Sequence, residues 1–450
     1  MTLLDDVLRR AQRYIDERDG RRVGPSGEAI AGLDAAFRRE LPEQGMAAEA
    51  IVDLLDRAGS PATVNMTGPR YFGFVTGGTL PAALAVNWLA TAWDQNAAMY
   101  IMSPVGAVLE EIAIRWMIDL LGLPATPTNG TLTTGATMAN FTGLAAARHR
   151  VLERAGWDVE ANGLFGAPAI DVIVGDEAHV SLYKSLGMLG LGRERVIKVP
   201  VDGQGRMRAD ALPVIGRPAI VCLQAGNVNT GAFDPAAEII PKVKAANADA
   251  WVHVDGAFGL WAMAARQEQT RGYELADSWA TDGHKWLNVA YDCGIAFVRD
   301  AAALKAAMAI SAAYLTESPQ REGSHWSPES SRRARGIEVW AALLSLGRDG
   351  LVGMIERCCS HARRFATGLH AAGFEVLNEV NLNQVMVSFG DDSRTRAVIQ
   401  GIQDEGTCWC GGTTWRGRAA MRISVSSWLT SEADVDRSVE AIVRVAAESQ

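Results

Sequence analysis

Apolar residues recur at helical spacing from the start of the chain. Leu3, Leu4, Val7, Leu8, Ala11 and Ile15 share one face and predict an amphipathic helix. The same period predicts a second helix around residues 47–58, through Ile51, Val52, Leu54 and Leu55, and another over 104–121, where Val108, Ile112, Trp116 and Leu120 step by four. Between these two, Gly68-Pro-Arg-Tyr-Phe-Gly-Phe74 reads as loop or short extended chain. From residue 129 the rhythm changes. Short β-branched runs at 170–174, 196–201, 220–223, 251–254 and 294–298 alternate with helical patterns such as Met138, Phe141, Leu144, Ala145 and Leu152. Buried strands alternating with helices predict an α/β domain around a mainly parallel sheet. After about Arg335, a long helix (339–346, then 354–371) leads to strands near 374–377, 384–389 and 420–425 and to helices near 394–405 and 432–447, the pattern of a smaller C-terminal α+β domain. The expected division is an N-terminal helical segment at 1–70, a large α/β domain at 71–335 and the small domain at 336–450.

Composition narrows the function classes. The chain has 450 residues, 48% hydrophobic and 21% charged, which is ordinary globular usage and excludes a fibrous or disordered protein. A formal charge of -9 argues against a nucleic-acid partner, because phosphate backbones require a concentrated basic face. No run of 18 apolar residues occurs, and the charged N-terminus has no signal-peptide core, so neither a membrane span nor a secretory leader is expected. Six cysteines are too few for a disulfide scaffold, and no CxxC or HExxH spacing suggests a metal. A reducing cytoplasm is the expected location.

Four segments at strand ends or strand-to-helix turns carry candidate chemistry, because ligands of open α/β sheets collect there. Thr133-Thr-Gly-Ala-Thr-Met-Ala-Asn140 leads into a helix, and the N–H groups of Ala136 and Thr137 suit a phosphate; a plain threonine N-cap is the structural alternative. His179, in Asp176-Glu-Ala-His179, follows an apolar strand and could equally be a satisfied structural histidine. Asp255 closes the strand in Trp251-Val-His-Val-Asp-Gly-Ala-Phe258; a carboxylate there needs a cation unless it is only a helix cap. Its small neighbours Gly256 and Ala257 leave room for a flat group. Lys285 stands between His284 and Trp286, and a surface lysine passing the tryptophan is its alternative.

Taken together, a helix-end phosphate cradle, a stacking imidazole, a buried aspartate and a lysine meet the needs of pyridoxal 5'-phosphate. The lysine amine forms a Schiff base with the aldehyde, and the aspartate keeps the ring nitrogen protonated. A pair about 4 Å apart at an effective dielectric near 20 is worth roughly 4 kcal/mol, or about three pKa units, enough to hold a pyridinium at neutral pH.

With these residues in order, the sequence resembles the group II pyridoxal-phosphate-dependent amino-acid decarboxylases, which include the aromatic-L-amino-acid, tyrosine and glutamate decarboxylases. The resemblance runs from about Tyr71 to the C-terminus through Tyr71-Phe-Gly, Ser103-Pro, Thr134-Gly-Ala-Thr, Glu177-Ala-His179, Asn229-Thr-Gly, His253-Val-Asp-Gly-Ala257 and His284-Lys-Trp286. It implies the fold-type I aminotransferase architecture and an intertwined homodimer with sites at the subunit interface. By matched position it implies Lys285 as the Schiff-base lysine, Asp255 as the pyridinium partner, His179 stacked on one ring face and Ala257 against the other. Ala136, Thr137 and His284 would hold the phosphate, with Asn227, Asn229 and Thr230 near the cofactor. Tyr71, Phe72, Phe74 and Tyr100 fall where the family builds its substrate pocket, and Arg422, in Met421-Arg-Ile-Ser-Val, where glutamate decarboxylases contact the substrate carboxylate. The activity implied is decarboxylation of an L-amino acid, aromatic or apolar, to the amine and CO2.

One segment departs from the family. The loop Thr316-Glu-Ser-Pro-Gln-Arg-Glu-Gly-Ser-His-Trp-Ser-Pro328 contains no tyrosine, whereas the family usually takes its proton donor from a loop tyrosine; Tyr314 stands just before it. His325 is the replacement acid that the segment offers, histidine being the side-chain type suited to proton transfer near neutral pH, and packing of the loop is its alternative role. In the family, exchanging that tyrosine for phenylalanine diverts the reaction to oxygen-dependent aldehyde formation. An aldehyde synthase, an aldolase or lyase, or a transaminase on the same scaffold therefore stays open. A dehydrogenase or nucleotide-binding module would need GxGxxG or GxxxxGK[ST], and a serine hydrolase GxSxG; none occurs, and Gly187-Met-Leu-Gly-Leu-Gly192 has the wrong spacing.

Overall fold

A computed structural model describes residues 2–216, 218–309 and 319–449. Tyr314 and positions 316–318 of the tyrosine-free loop lie outside them. The chain packs as two units, one of Met1–Gly78, His361–Leu377 and Val385–Gln450, the other of Thr79–Ser360 with Asn378–Gln384.

The first unit opens with α1 (Leu3–Glu17), where Thr2 and Asp5 form a reciprocal capping box, and continues through α2 (Gly27–Phe37) and α3 (Ala48–Leu54). The second begins with α4 (Pro81–Trp93) and α5 (Pro104–Leu120), each with proline in its first turn, and Ser103 caps α5 by accepting from the Gly106 N–H. There follow β1 (Asn129–Thr133), α6 (Ala136–Arg154), the short α7 (Val159–Asn162), β2 (Asp171–Gly175), α8 (Val180–Met188), β3 (Ile197–Val199) and β4 (Ala219–Gln224). Then come α9 (Ala236–Ala246), β5 (Trp251–Asp255), β6 (Ser278–Asp282), β7 (Gly294–Val298) and α10 (Ala301–Met308). The long α11 (Gly336–Ala371) is bent at Gly347, whose φ of 61° belongs to the left-handed region that favours glycine. The first unit is completed by β8 (Glu375–Val376), β9 (Gln384–Ser388), α12 (Asp392–Glu405), β10 (Gly411–Trp415), β11 (Arg418–Ser424) and α13 (Glu432–Glu448), with a four-stranded sheet in the order β10-β11-β9-β8.

The seven-stranded sheet has the order β1-β7-β6-β5-β4-β2-β3. All its strands run one way except β7, which is antiparallel to both β1 and β6. The C-terminal ends of β1, β2, β4, β5 and β6 therefore open on the same edge. Hydrophobic periodicity alone does not reveal β1 and β6, because their buried faces are polar: Thr131, Thr133, Ser278, Thr281 and Asp282 all lie in the core.

Residues 1–78 pack with the C-terminal residues, and Arg70 shows why. Its buried guanidinium donates to Thr407 O (2.9 Å) and Asp19 O (2.6 Å) and pairs with Asp434 (2.9 Å), and a buried arginine is kept only when its donors are met. No helix among the described residues is long and apolar enough to cross a membrane.

Candidate active site

The phosphate-cradle segment becomes the start of α6. Gly135 occupies the N-cap position with φ 146° and ψ 173° and makes no side-chain cap, so the threonines of the segment do not close this helix end. Met138 and Ala139 donate to the Gly135 carbonyl, each at 2.9 Å. The N–H groups of Ala136 and Thr137 stand at the positive end of a 19-residue helix, the arrangement that binds anions. A methyl group on Gly135 would come within 3.5 Å of His284 Cε1 and 3.7 Å of Asp282 Oδ1, which places this helix end against the turn after β6.

That turn carries Lys285, whose Nζ lies 2.8 Å from Asp282 Oδ2. Asp282 is buried, and its other oxygen, Oδ1, has no hydrogen-bond partner among the described residues. The backbone N–H of Cys293 donates to His284 Nδ1 at 3.1 Å, so the neutral ring carries its proton on Nε2 and is a donor there. Burial holds His284 below the ordinary histidine range, against the pull of Asp282. Its ring stacks on Tyr291 with centroids 4.3 Å apart. Trp286 is fully buried, which removes the reading of Lys285 as a surface lysine draped over a tryptophan.

Asp255 closes β5 and is buried. Its Oδ1 accepts from the Ala257 N–H at 3.3 Å, a local turn bond that realises part of the capping alternative, but Oδ2 has no hydrogen-bond partner among the described residues. Burial pushes this carboxyl up; His179 and then Lys285 pull it down, followed by the Asn140 amide and the Ala257 N–H. The Asn140 amide nitrogen is itself buried and without a hydrogen-bond partner, near Asp255 but outside bonding geometry. His179 is the N-cap of α8, its Nδ1 accepting from the Ser181 N–H at 3.3 Å, so the structural alternative for this histidine also holds in part. The Ala257 carbonyl accepts from the Asp282 N–H at 2.9 Å, tying the Asp255 turn to the strand that leads to Lys285.

The remaining candidates lie in other settings. Asn227 Oδ1 accepts from the N–H groups of Asn229 (2.8 Å) and Thr230 (3.2 Å), shaping the turn after β4. Thr230 is buried with its hydroxyl donating to Gln204 O at 2.7 Å. Tyr100 donates its backbone N–H to Glu322 at 2.7 Å, and the Glu322 carbonyl accepts from the His325 N–H at 3.1 Å, so one glutamate joins these two candidates. His325 lines a groove with Arg115, Asp119, Lys305, Arg321 and Trp326, and Lys285 is not part of that lining. In the other unit, Phe72 donates to the Trp409 carbonyl (2.8 Å), and the Trp409 ring stacks on both Tyr71 (5.2 Å) and Phe74 (5.9 Å). Gly73 permits this, because a Cβ there would sit 2.1 Å from the indole. Arg422 is held below the ordinary arginine range by burial, opposed by Tyr71.

Sequence reasoning passed over Asp282, Asn140 and Trp409. For Asp282 the signal was its place three residues before Lys285; Trp409 has none short of the fold. The residues of the second unit fit a pyridoxal phosphate: an amine at Lys285, an uncapped helix end beside a donor imidazole, and a buried carboxylate oxygen with nothing to bind. Two buried carboxylates beside one lysine leave a negative balance that a cationic ring nitrogen offsets.

Comparison with known proteins agrees with this chemistry. The profile of the pyridoxal-dependent decarboxylase conserved domain matches residues 33–390. The acidic amino acid decarboxylase GADL1 of Xenopus tropicalis is 30% identical over 337 residues, 70% of this chain and 64% of that protein, and the chain spans 63% of the length of the Bos taurus protein of the same name. The aromatic-L-amino-acid decarboxylase of Sus scrofa is 27% identical over 463 residues, covering 97% of this chain and 93% of that protein. Among solved structures, Oryza sativa TDC with PLP and tryptamine superposes with a TM-score of 0.89 at 22% identity, covering 99% of this chain and 97% of that one. That likeness carries the fold, the fold-type I α/β architecture.

Proposed function

Because the chain belongs to the pyridoxal-dependent decarboxylase family, matched over residues 33–390 and dependent on pyridoxal 5'-phosphate, we propose that it is a carboxy-lyase acting on an L-amino acid, releasing CO2 and the amine. The observation that carries the reading is the buried Asp255 with its unbonded Oδ2, beside the Lys285–Asp282 pair. When bound, the cofactor supplies an aldehyde for covalent attachment and a ring that accepts electrons. Lys285 is its attachment point. Asp255 takes the ring nitrogen's N–H and keeps that nitrogen cationic. His179 offers a face for stacking and Ala257 a methyl for the opposite face. Ala136 and Thr137 donate backbone N–H groups to the phosphate, His284 donates from Nε2, and Asn229 and Thr230 shape the adjoining turn.

An aromatic or apolar substrate is supported by the aromatic character of Tyr71, Phe72, Phe74 and Tyr100, to which the Trp409 stack adds. Arg422 is assigned to the substrate carboxylate. The proton returned to the substrate carbon is assigned to His325, which shares Glu322 with Tyr100. A homodimer is supported by apolar side chains left open on α4 and beyond, Trp88, Leu89, Trp93 and Ile101 at 40, 52, 48 and 81% exposure. The N-terminal 1–70 segment, with Leu4 at 76% and Leu55 at 61%, is assigned to the same partner contact. Sedimentation measures that assembly. A cytoplasmic location suits six buried free thiols.

The test is borohydride reduction of the protein loaded with pyridoxal phosphate, followed by a mass map. The tag is expected on Lys285 and lost in Lys285→Ala, and a tag elsewhere, or none, overturns the reading. A second reaction is favoured by one observation, the absence of tyrosine from residues 316–328. In it the amino acid, O2 and water give the aldehyde, CO2, ammonia and hydrogen peroxide. Equal yields of amine and CO2 without oxygen consumption select decarboxylation, and peroxide with ammonia selects the alternative.

A further inference from the structure

Behind Asp255 runs a buried line of polar side chains that the cofactor chemistry above does not use. Trp251 Nε1 donates to Ser278 Oγ at 2.8 Å; Ser278 Oγ lies 2.8 Å from His253 Nδ1; His253 Nε2 lies 2.9 Å from Asn140 Oδ1. His253, Asn140 and Ser278 are all fully buried. The line ends at the Asn140 amide nitrogen, near Asp255 Oδ2, and neither atom has a hydrogen-bond partner among the described residues.

The direction of the line follows from its ends. An indole N–H can only donate and an ionised carboxylate can only accept. With one hydrogen at each joint, Asn140 turns its NH2 toward Asp255 and its oxygen toward His253. His253 then donates from Nε2, Nδ1 is bare, and the Ser278 hydroxyl donates to it. A neutral His253 is required, and burial pushes its pKa down to about 3. Reversing the line would turn the Asn140 oxygen toward the carboxylate. The fold makes room for this arrangement at one point: a Cβ on Gly143, one helical turn beyond Asn140, would lie 2.9 Å from His253 Cε1.

We infer that Asn140 and His253 are positioning residues for the cofactor: the Trp251–Ser278–His253–Asn140 line fixes an amide donor on the back of Asp255, keeping its carboxylate ionised and aimed at the ring nitrogen. The inference rests on the pyridoxal phosphate reading of Asp255. A hydrogen bond to a charged acceptor is among the stronger ones, and in a buried site its removal is felt in full. Without the donor, Asp255 becomes the better base and draws the proton away from the ring nitrogen.

The experiment loads the wild-type protein and the variants Asn140→Leu, His253→Gln and His253→Met with pyridoxal phosphate labelled with 15N in the ring. It reads the cofactor dissociation constant and the 15N shift. Wild type is expected to show a pyridinium nitrogen. In Asn140→Leu the dissociation constant rises about tenfold or more and the signal moves toward neutral pyridine. His253→Gln, whose amide can still donate to Asn140 and accept from Ser278, stays within about twofold of wild type, whereas His253→Met, which can do neither, moves in the direction of Asn140→Leu. An Asn140→Leu protein with wild-type affinity and an unmoved pyridinium signal overturns the inference. If that variant does not fold, identical behaviour of His253→Met and His253→Gln does so. A wild-type protein that takes up no cofactor overturns the underlying reading instead, and is distinguished by its own titration.

Discussion

Gly143→Ala tests the geometry on which the buried line depends, and it can be measured without any cofactor. In an open helix this change stabilises by about 1 kcal/mol, because alanine loses less backbone entropy. Here the new Cβ would lie 2.9 Å from His253 Cε1, 3.0 Å from its Nδ1 and 3.4 Å from Ser278 Cβ. Carbon atoms rest at about 3.5–4.0 Å, so the imidazole must retreat by roughly 0.5–1 Å. It cannot do so freely, because Ser278 and Asn140 hold it at 2.8 and 2.9 Å on its two sides. At the upper end of that range both contacts leave hydrogen-bonding distance, and each orphaned buried polar group costs about 1–3 kcal/mol. After subtraction of the helix gain, loss of both contacts is expected to make Gly143→Ala destabilising by ~1–5 kcal/mol.

A thermal or urea double-mutant cycle with His253→Ala separates this mechanism from general helix damage. His253→Ala opens the space that the added methyl group needs, so the double variant should be less destabilised than the sum of the singles by about 1–3 kcal/mol. Additive effects, or a Gly143→Ala protein more stable than wild type, would refute the packing argument and remove the steric reason for glycine at this position.

Asp255→Asn should raise the melting temperature of the cofactor-free protein, because the unbonded Oδ2 is a desolvated acceptor and the amide has no charge to bury, while weakening cofactor binding about tenfold or more; a variant less stable than wild type without cofactor would contradict this. Asp234→Asn tests a pH dependence: burial pushes this carboxyl from 3.8 up to about 6, although the Met207 and Gln224 N–H groups pull it down. A carboxyl whose pKa is raised on folding stabilises while protonated, an effect complete below its unfolded value and lost as pH rises through about 6. Relative to Asp234→Asn, wild type should therefore lose about 2 kcal/mol of stability between pH 4 and 7.5, and a difference independent of pH would exclude the shift. His325→Ala should slow turnover about a hundredfold while the borohydride tag on Lys285 is retained, and unchanged turnover would remove His325 as proton donor.

The elements most legible in the sequence were those whose side chains are uniformly apolar. The runs that became β2, β4 and β7 carry β-branched residues on both faces, as buried strands allow, and β5 carries Val252 and Val254 on one face with Trp251 on the other. β1 and β6 escaped that rule because they bury threonine, serine and aspartate, and β6 is the strand that delivers Asp282 and Lys285. Lys285 and Asp255 stood out as candidates from their residue types at strand ends taken together, and His284 from the family resemblance. Asn140 could not, since asparagine within a helix has many local explanations, and its role depends on a histidine 113 positions away that reaches it only in the folded sheet. Trp409 likewise meets Tyr71 and Phe74 only through a pairing between distant segments.

The two buried carboxylates divide the work in a way that burial energetics explains. Asp282 has Lys285 at 2.8 Å on Oδ2, so its charge is paired within the chain even though Oδ1 has no hydrogen-bond partner among the described residues. Among the described residues Asp255 has one weak backbone donor on Oδ1 and no hydrogen-bond partner on Oδ2, an arrangement that a protein selected for stability alone would replace with an apolar residue. A buried acceptor left open has a physical rationale when a ligand completes it, and the ligand must then bring a positive, hydrogen-bonding atom. The same reasoning explains why the donors around it are fixed in direction. In the orientation inferred above Asn140 turns its amide hydrogens toward this carboxylate from outside bonding geometry, and the Ala257 N–H donates to it, so both favour its ionised form without neutralising it. The charge remains available, and an incoming cationic ring nitrogen is the group that can use it. The strain sits at the one carboxylate whose partner comes from outside the chain, which is where local rules of packing and pairing are expected to be broken in favour of function.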